Sequence, residues 1–200
     1  MHTTLKNYSY ANNSYELEIK WDSFNYKDLP LNIDQVRLWC QEGCPNYNTN
    51  GGCPPFSPTA SDLLKDKTFI LLLSKIKTCQ VTVPSSSDKV DLIQDILYGF
   101  MNSLGYKISD LYDIDFLNAG PCGACETCSI HSGCKSPKKK VYCITGMGIL
   151  LGEAIEKLFE EKLQWFTGNE EPLQVIKIMG FLSGEKTSFL LEELSNEIDY

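Results

Sequence analysis

Positive charge is scarce in this sequence: 18 lysines and arginines against 26 aspartates and glutamates leave a net charge of −8. A carboxylate-rich surface repels phosphates, which excludes a general nucleic-acid binder. The one basic run, Lys138-Lys139-Lys140, is too short to reverse that balance. Long apolar runs are missing as well. The greasiest stretch, residues 69–73, falls far short of the ~20 residues of a membrane-spanning helix. The opening residues, MHTTLKNYSYANNSY, lack the apolar centre of a signal peptide. These absences predict a cytoplasmic protein with no membrane and no nucleic-acid partner. Common catalytic signatures are absent too: no G-x-S-x-G, no H-E-x-x-H, no phosphate loop and no G-x-G-x-x-G. Sequence alone therefore leaves open whether the chain is an enzyme, and it sets no oligomeric state.

Cysteine, by contrast, is plentiful. Nine cysteines in a chain read as cytoplasmic need an explanation other than disulfides, and an odd count disfavours complete pairing. The apolar content, 42%, is that of an ordinary globular protein. A length of 200 residues suits one domain, here residues 1–200 with cysteine-rich loops at 40–55 and 120–143.

The hydrophobic pattern predicts an α/β or mixed α+β fold, a central sheet flanked by helices. Tyr15, Leu17, Ile19 and Trp21 alternate with polar residues, as in a strand with one buried face. Residues 32–39 read as a short helix and residues 57–67 as another. Residues 69–73 form the continuous apolar run of a central strand. Val90, Ile93, Ile96, Leu97, Phe100, Met101 and Leu104 make one helical stripe, with Gly105 as its stop signal. Short strands are expected at 113–117 and 173–181, and helices at 147–165 and 189–197. His2 falls in a segment expected to fray. Gly146-Met147-Gly148 reads as a tight packing turn.

The chemistry lies between these elements. Cys122-Gly-Ala-Cys125-Glu-Thr-Cys128 is followed by Cys134 after five residues. Tandem C-x2-C steps let one tight loop aim three thiolates at one compact object, the local logic of a [4Fe-4S] ferredoxin loop. Gly120, Gly123 and Gly133 would let backbone N–H groups approach the sulfurs. A closed Zn2+ site is the alternative, although zinc knuckles are usually two C-x2-C pairs with a longer spacer. A second group, Cys40, Cys44 and Cys53, is three cysteines with uneven gaps. Its fourth position would be open, or filled by Cys143 or Cys79, or shared by an exchange of Cys53 with Cys134. Cys79 reads as a buried thiol at a strand end, and Cys143 stands evenly between ligand and core. His131 reads as a solvated loop residue.

The segments VRLWCQEGCPNYNTNGGCPP and NAGPCGACETCSIHSGCKSP resemble the two signatures of a bacterial and archaeal family, domain of unknown function 2284, described as predicted metal-binding proteins. The resemblance implies Cys40, Cys44, Cys53, Cys122, Cys125, Cys128 and Cys134 as metal ligands. It weakens after Pro137, where relatives commonly carry an arginine-proline-serine-methionine-glutamate-like stretch and this chain has Val141-Tyr142-Cys143-Ile144-Thr145. That places Cys143 where serine is usual. Three functions follow as expectations. One is a protein with one or two [4Fe-4S] clusters that transfers electrons to a redox partner protein, which an acidic surface suits. Another is an iron–sulfur enzyme with an open Lewis-acid or sulfur-handling iron at Cys40, Cys44 and Cys53. The third is an interaction module built on structural zinc.

Overall fold

A computed structural model describes residues 1–65, 67–165 and 170–199. Its centre is a six-stranded sheet in the order β1-β2-β3-β6-β4-β5. The strands are β1 (His2–Tyr10), β2 (Asn13–Asn25), β3 (Thr68–Lys77), β4 (Phe116–Asn118), β5 (Tyr142–Cys143) and β6 (Gln174–Phe181). All neighbouring pairs are antiparallel except β4 with β5. The helices are α1 (Ile33–Gly43), α2 (Ala60–Leu63), α3 (Ser86–Tyr112), α4 (Leu151–Phe159) and α5 (Thr187–Asp199). The mixed α/β architecture is as expected. No helix among the described residues is long and apolar enough to cross a membrane.

The sheet is buried on both faces. Leu17, Ile19, Trp21, Ile70 and Leu72 pack with the α3 stripe and with Leu190, Leu194 and Ile198 of α5. Phe69, Leu71 and Leu73 point the other way, toward Ala154, Ile155 and Phe159 of α4. This two-sided burial is why residues 69–73 are continuously apolar rather than alternating.

Several elements depart from the sequence reading. The N-terminal segment does not fray: Ala11 and Asn12, both with positive φ, turn β1 back onto β2, and His2 stacks on Trp21 at 5.3 Å. Gly105 does not end its helix. A Cβ there would lie 2.5 Å from the Phe116 ring, so the glycine serves close packing inside α3, which runs on to Tyr112. The helix expected at 147–165 begins only at Leu151, because Gly148 takes φ +97 and packs against Ile33. The helix expected at 57–67 is the single turn α2, capped by Thr59; Asp66 lies outside the described residues. Cys79 is not a core thiol. It sits exposed in the 3-10 turn after β3.

A charged cluster holds the segment after α4 against the sheet. Lys20 and Lys75 each reach Glu161 Oε1 at 2.5 Å, and Gln174 Nε2 donates to Oε2 at 3.1 Å. Burial raises the Glu161 pKa, but these hydrogen bonds outweigh it and leave the carboxyl below its ordinary value of 4.5. A depressed carboxylate stabilises the fold above its unfolded pKa and loses that contribution as pH falls through the folded value. Glu161→Gln should therefore cost about 3 kcal/mol at pH 7 in urea unfolding, since it leaves two lysines half-compensated. The gap between variant and wild type should begin to close as the pH drops below about 4.5 and vanish only below the depressed folded value, where the native carboxyl is protonated too. A gap that does not change with pH would remove this assignment.

Candidate metal centre

The cysteine loops sit where the short strands β4 and β5 end. Cys40 lies in the last turn of α1 and Cys44 caps it, its N–H donating to the Cys40 carbonyl at 3.1 Å. A four-residue step puts both side chains on one face of the helix end. Cys53 is buried in the following loop, and its carbonyl accepts from the N–H groups of Phe56 and Ser57, both at 3.0 Å. Cys143 arrives from far along the sequence, as the last residue of the edge strand β5. Its N–H donates to Gly52 O at 2.8 Å, so the first loop docks onto the edge of the sheet.

These four thiols form one electrostatic neighbourhood. Cys143, and more weakly Cys44 and Cys40, act on the Cys53 thiol. Cys143 and Cys44 likewise act on Cys40, whose pKa is raised by burial first and by those neighbours next. Of the two candidates for a fourth member of the first group, the structure brings Cys143 to it; Cys79 sits exposed in its turn.

Cys143 is the natural anion of the set. The Gly146 N–H donates to its sulfur at 3.4 Å, and Cys53 and the backbone at Gly120 and Thr145 favour its charged form. Together they outweigh burial and lower its pKa to about 6, while the neighbouring thiols and burial push Cys53 up. A sulfur ringed by amide donors is prepared to carry negative charge without losing solvation. Gly146 permits this approach, since a Cβ there would meet Pro54 at 2.6 Å. The expected packing role of that glycine turn is thus borne out.

Asn50 joins the two loops. Its Oδ1 accepts from Gly52 N–H and Cys122 N–H, each at 2.9 Å, and its Nδ2 donates to the Cys122 carbonyl at 3.1 Å. Gly51 N–H donates to Cys128 Sγ at 3.3 Å, and Val141 N–H to Cys122 Sγ at 3.4 Å. Cys125 Sγ lies 3.5 Å from Ser136 Oγ. Burial and then the nearby Cys122 push the Tyr106 hydroxyl up to about 12. Cys128 and Cys134 are exposed. His131 is exposed too, hydrogen-bonded through Nε2 to Asn48 O at 2.7 Å and edge-on to Phe56. Among the described residues, no three His, Cys, Asp or Glu side chains converge tightly enough to hold a single ion.

The model of a family described as predicted metal-binding protein (DUF2284) matches residues 25–182, which contain both cysteine loops and Cys143. The chain belongs to this family. No curated protein and no solved structure matches it. Membership of DUF2284 makes metal binding the family-level description; the metal and the reaction are not part of it.

In this DUF2284 protein, sequence reasoning missed Asn50, which lies unmarked among the polar residues of a loop. The one available signal was its place directly before Gly51-Gly52, where a short amide can bond the neighbouring backbone. It also missed Lys177, which the strand pattern treats as an ordinary polar position of β6. Gly120 was expected to admit an N–H to a sulfur of its own loop. Instead it serves Cys143, from the other group.

Proposed function

We propose that this DUF2284 protein is an electron-transfer protein holding two [4Fe-4S] clusters, one on Cys40, Cys44, Cys53 and Cys143 and one on Cys122, Cys125, Cys128 and Cys134. The observation that carries the reading is the arrival of Cys143 beside Cys40, Cys44 and Cys53, which completes a second set of four thiols. The donor set fits the group: all-thiolate sites with backbone N–H donors to sulfur are the usual environment of protein-bound iron–sulfur clusters. When bound, such clusters supply one-electron transfer over a wide range of potentials. The chain's own part is to fix the thiols and to lower the charge on their sulfurs. Gly146, Gly120 and Thr145 do so at Cys143, Val141 at Cys122 and Gly51 at Cys128. Asn50 ties the two loops to each other, which favours exchange of electrons between neighbouring centres over independent sites.

The enzyme with an open iron at Cys40, Cys44 and Cys53 is the less favoured reading, because Cys143 offers that position a fourth thiol. Structural zinc is the third reading; its knuckles are usually two C-x2-C pairs with a longer spacer, unlike the tandem Cys122, Cys125 and Cys128. Protein purified without air should be brown, and its visible absorption should bleach when dithionite is added. A colourless protein carrying stoichiometric zinc would refute the iron–sulfur reading.

A further inference from the structure

A cavity of about 480 Å³ opens beside β6, between α3 and the segment that follows α4. It exists because β4 is so short. β4 pairs with β6 only from Phe116↔Phe181 to Asn118↔Met179, and the last contact on that edge is Ala119 N–H to the Ile178 carbonyl at 3.2 Å. Backbone groups alternate between the two edges of a strand. The N–H and C=O of Ile176 therefore face the same edge as those of Ile178, where no strand among the described residues pairs with them. The walls are largely apolar, with Val90, Leu151, Ile155 and Leu163 among them, and they include the polar side chains of Asp91, Gln94 and Gln164.

One cation lines this apolar space. Lys177 is half-buried, its amine 5.0 Å from the centre of the Tyr98 ring, and it forms no ion pair among the described residues. Burial lowers its pKa, with Cys143 and Asp95 acting in the opposite direction. Asp91 and Asp95 are exposed on α3, where solvent screens them. A half-buried ammonium over a ring face, without an ion-pair partner among the described residues and beside a backbone donor and acceptor that no described strand pairs, is complementary to an anion with an apolar body.

We propose that this cavity binds a small organic acid, its carboxylate on the Lys177 ammonium and the Ile176 N–H and its hydrocarbon part against Val90, Ile155 and Leu163. The site adjoins Cys143, whose charge Lys177 feels. It stands on the cavity and not on the identity of the metal, so it fails or survives separately from the cluster reading.

The test is calorimetric titration of the full-length, anaerobically purified protein with hexanoate and with its neutral isostere hexanamide. Saturable 1:1 binding of hexanoate is expected, with hexanamide weaker by at least about tenfold. Lys177→Met should abolish that preference, and Lys177→Arg should keep it. Should Lys177→Met fail to fold, Val90→Trp, which fills the cavity from its rim, should weaken hexanoate binding by at least about tenfold. Absence of saturable hexanoate binding, or equal binding of acid and amide by the wild-type protein, would overturn the proposal.

Discussion

Cys143→Ser should leave the protein with about four irons per chain instead of about eight, the count of one cubane rather than two. The expected loss follows from position. Cys143 is the member of the first group that acts most strongly on Cys53, and the Gly146 N–H donates to its sulfur at 3.4 Å. Serine offers a hydroxyl that ionises far less readily than a thiol, so the site loses its best anion. The remaining iron should stay with Cys122, Cys125, Cys128 and Cys134. Cys79→Ser is the matched control, because Cys79 is exposed in a turn and should leave iron content as it was. Unchanged iron and an unchanged spectrum in Cys143→Ser would remove Cys143 from the ligand set.

Gly52→Ala should be the most damaging glycine-to-alanine change among the described residues. An added Cβ would lie 2.2 Å from the Val141 carbonyl oxygen and 2.9 Å from Cys122 Cβ. Neither neighbour can give way cheaply. The Val141 N–H is bonded to Cys122 Sγ, and Gly52 itself binds Cys143 through its carbonyl and Asn50 through its N–H. The variant should lose about 3 kcal/mol of stability, at the upper end of what overpacking costs. It should also lose iron from both groups, since the strain falls on the seam between them. Gly43→Ala provides the comparison, because a Cβ at Gly43 meets nothing within 4 Å. If the two alanine variants unfold at the same urea concentration and carry the same iron, the seam is not the rigid element described above.

The parts of the molecule that the sequence revealed are those governed by local periodicity. The alternating residues of β2, the apolar run of β3 and the stripe of α3 each state their burial in their spacing. The errors arise where a distant partner decides. Gly105 looks like a helix stop until the Phe116 ring is laid across it. The polar β1 looks unstructured until it pairs residue by residue with β2. Cys79 looks like core because it follows a buried strand, yet the turn after that strand faces outward. At the candidate site the same division holds. The spacing of Cys122, Cys125, Cys128 and Cys134 carries its chemistry on its face. The place of Cys143 beside Cys40, Cys44 and Cys53 depends on the sheet edge formed by β4 and β5, and on the Gly52 carbonyl that docks there. No pattern within either loop encodes that meeting.

The proposed eight thiols in two sets of four would hold two clusters. The most direct measurement of this is the iron, acid-labile sulfide and zinc content of the full-length protein purified without air. About eight irons and about eight sulfides per chain are expected, with little zinc. Stoichiometric zinc without sulfide, or iron without matching sulfide, would contradict the proposal.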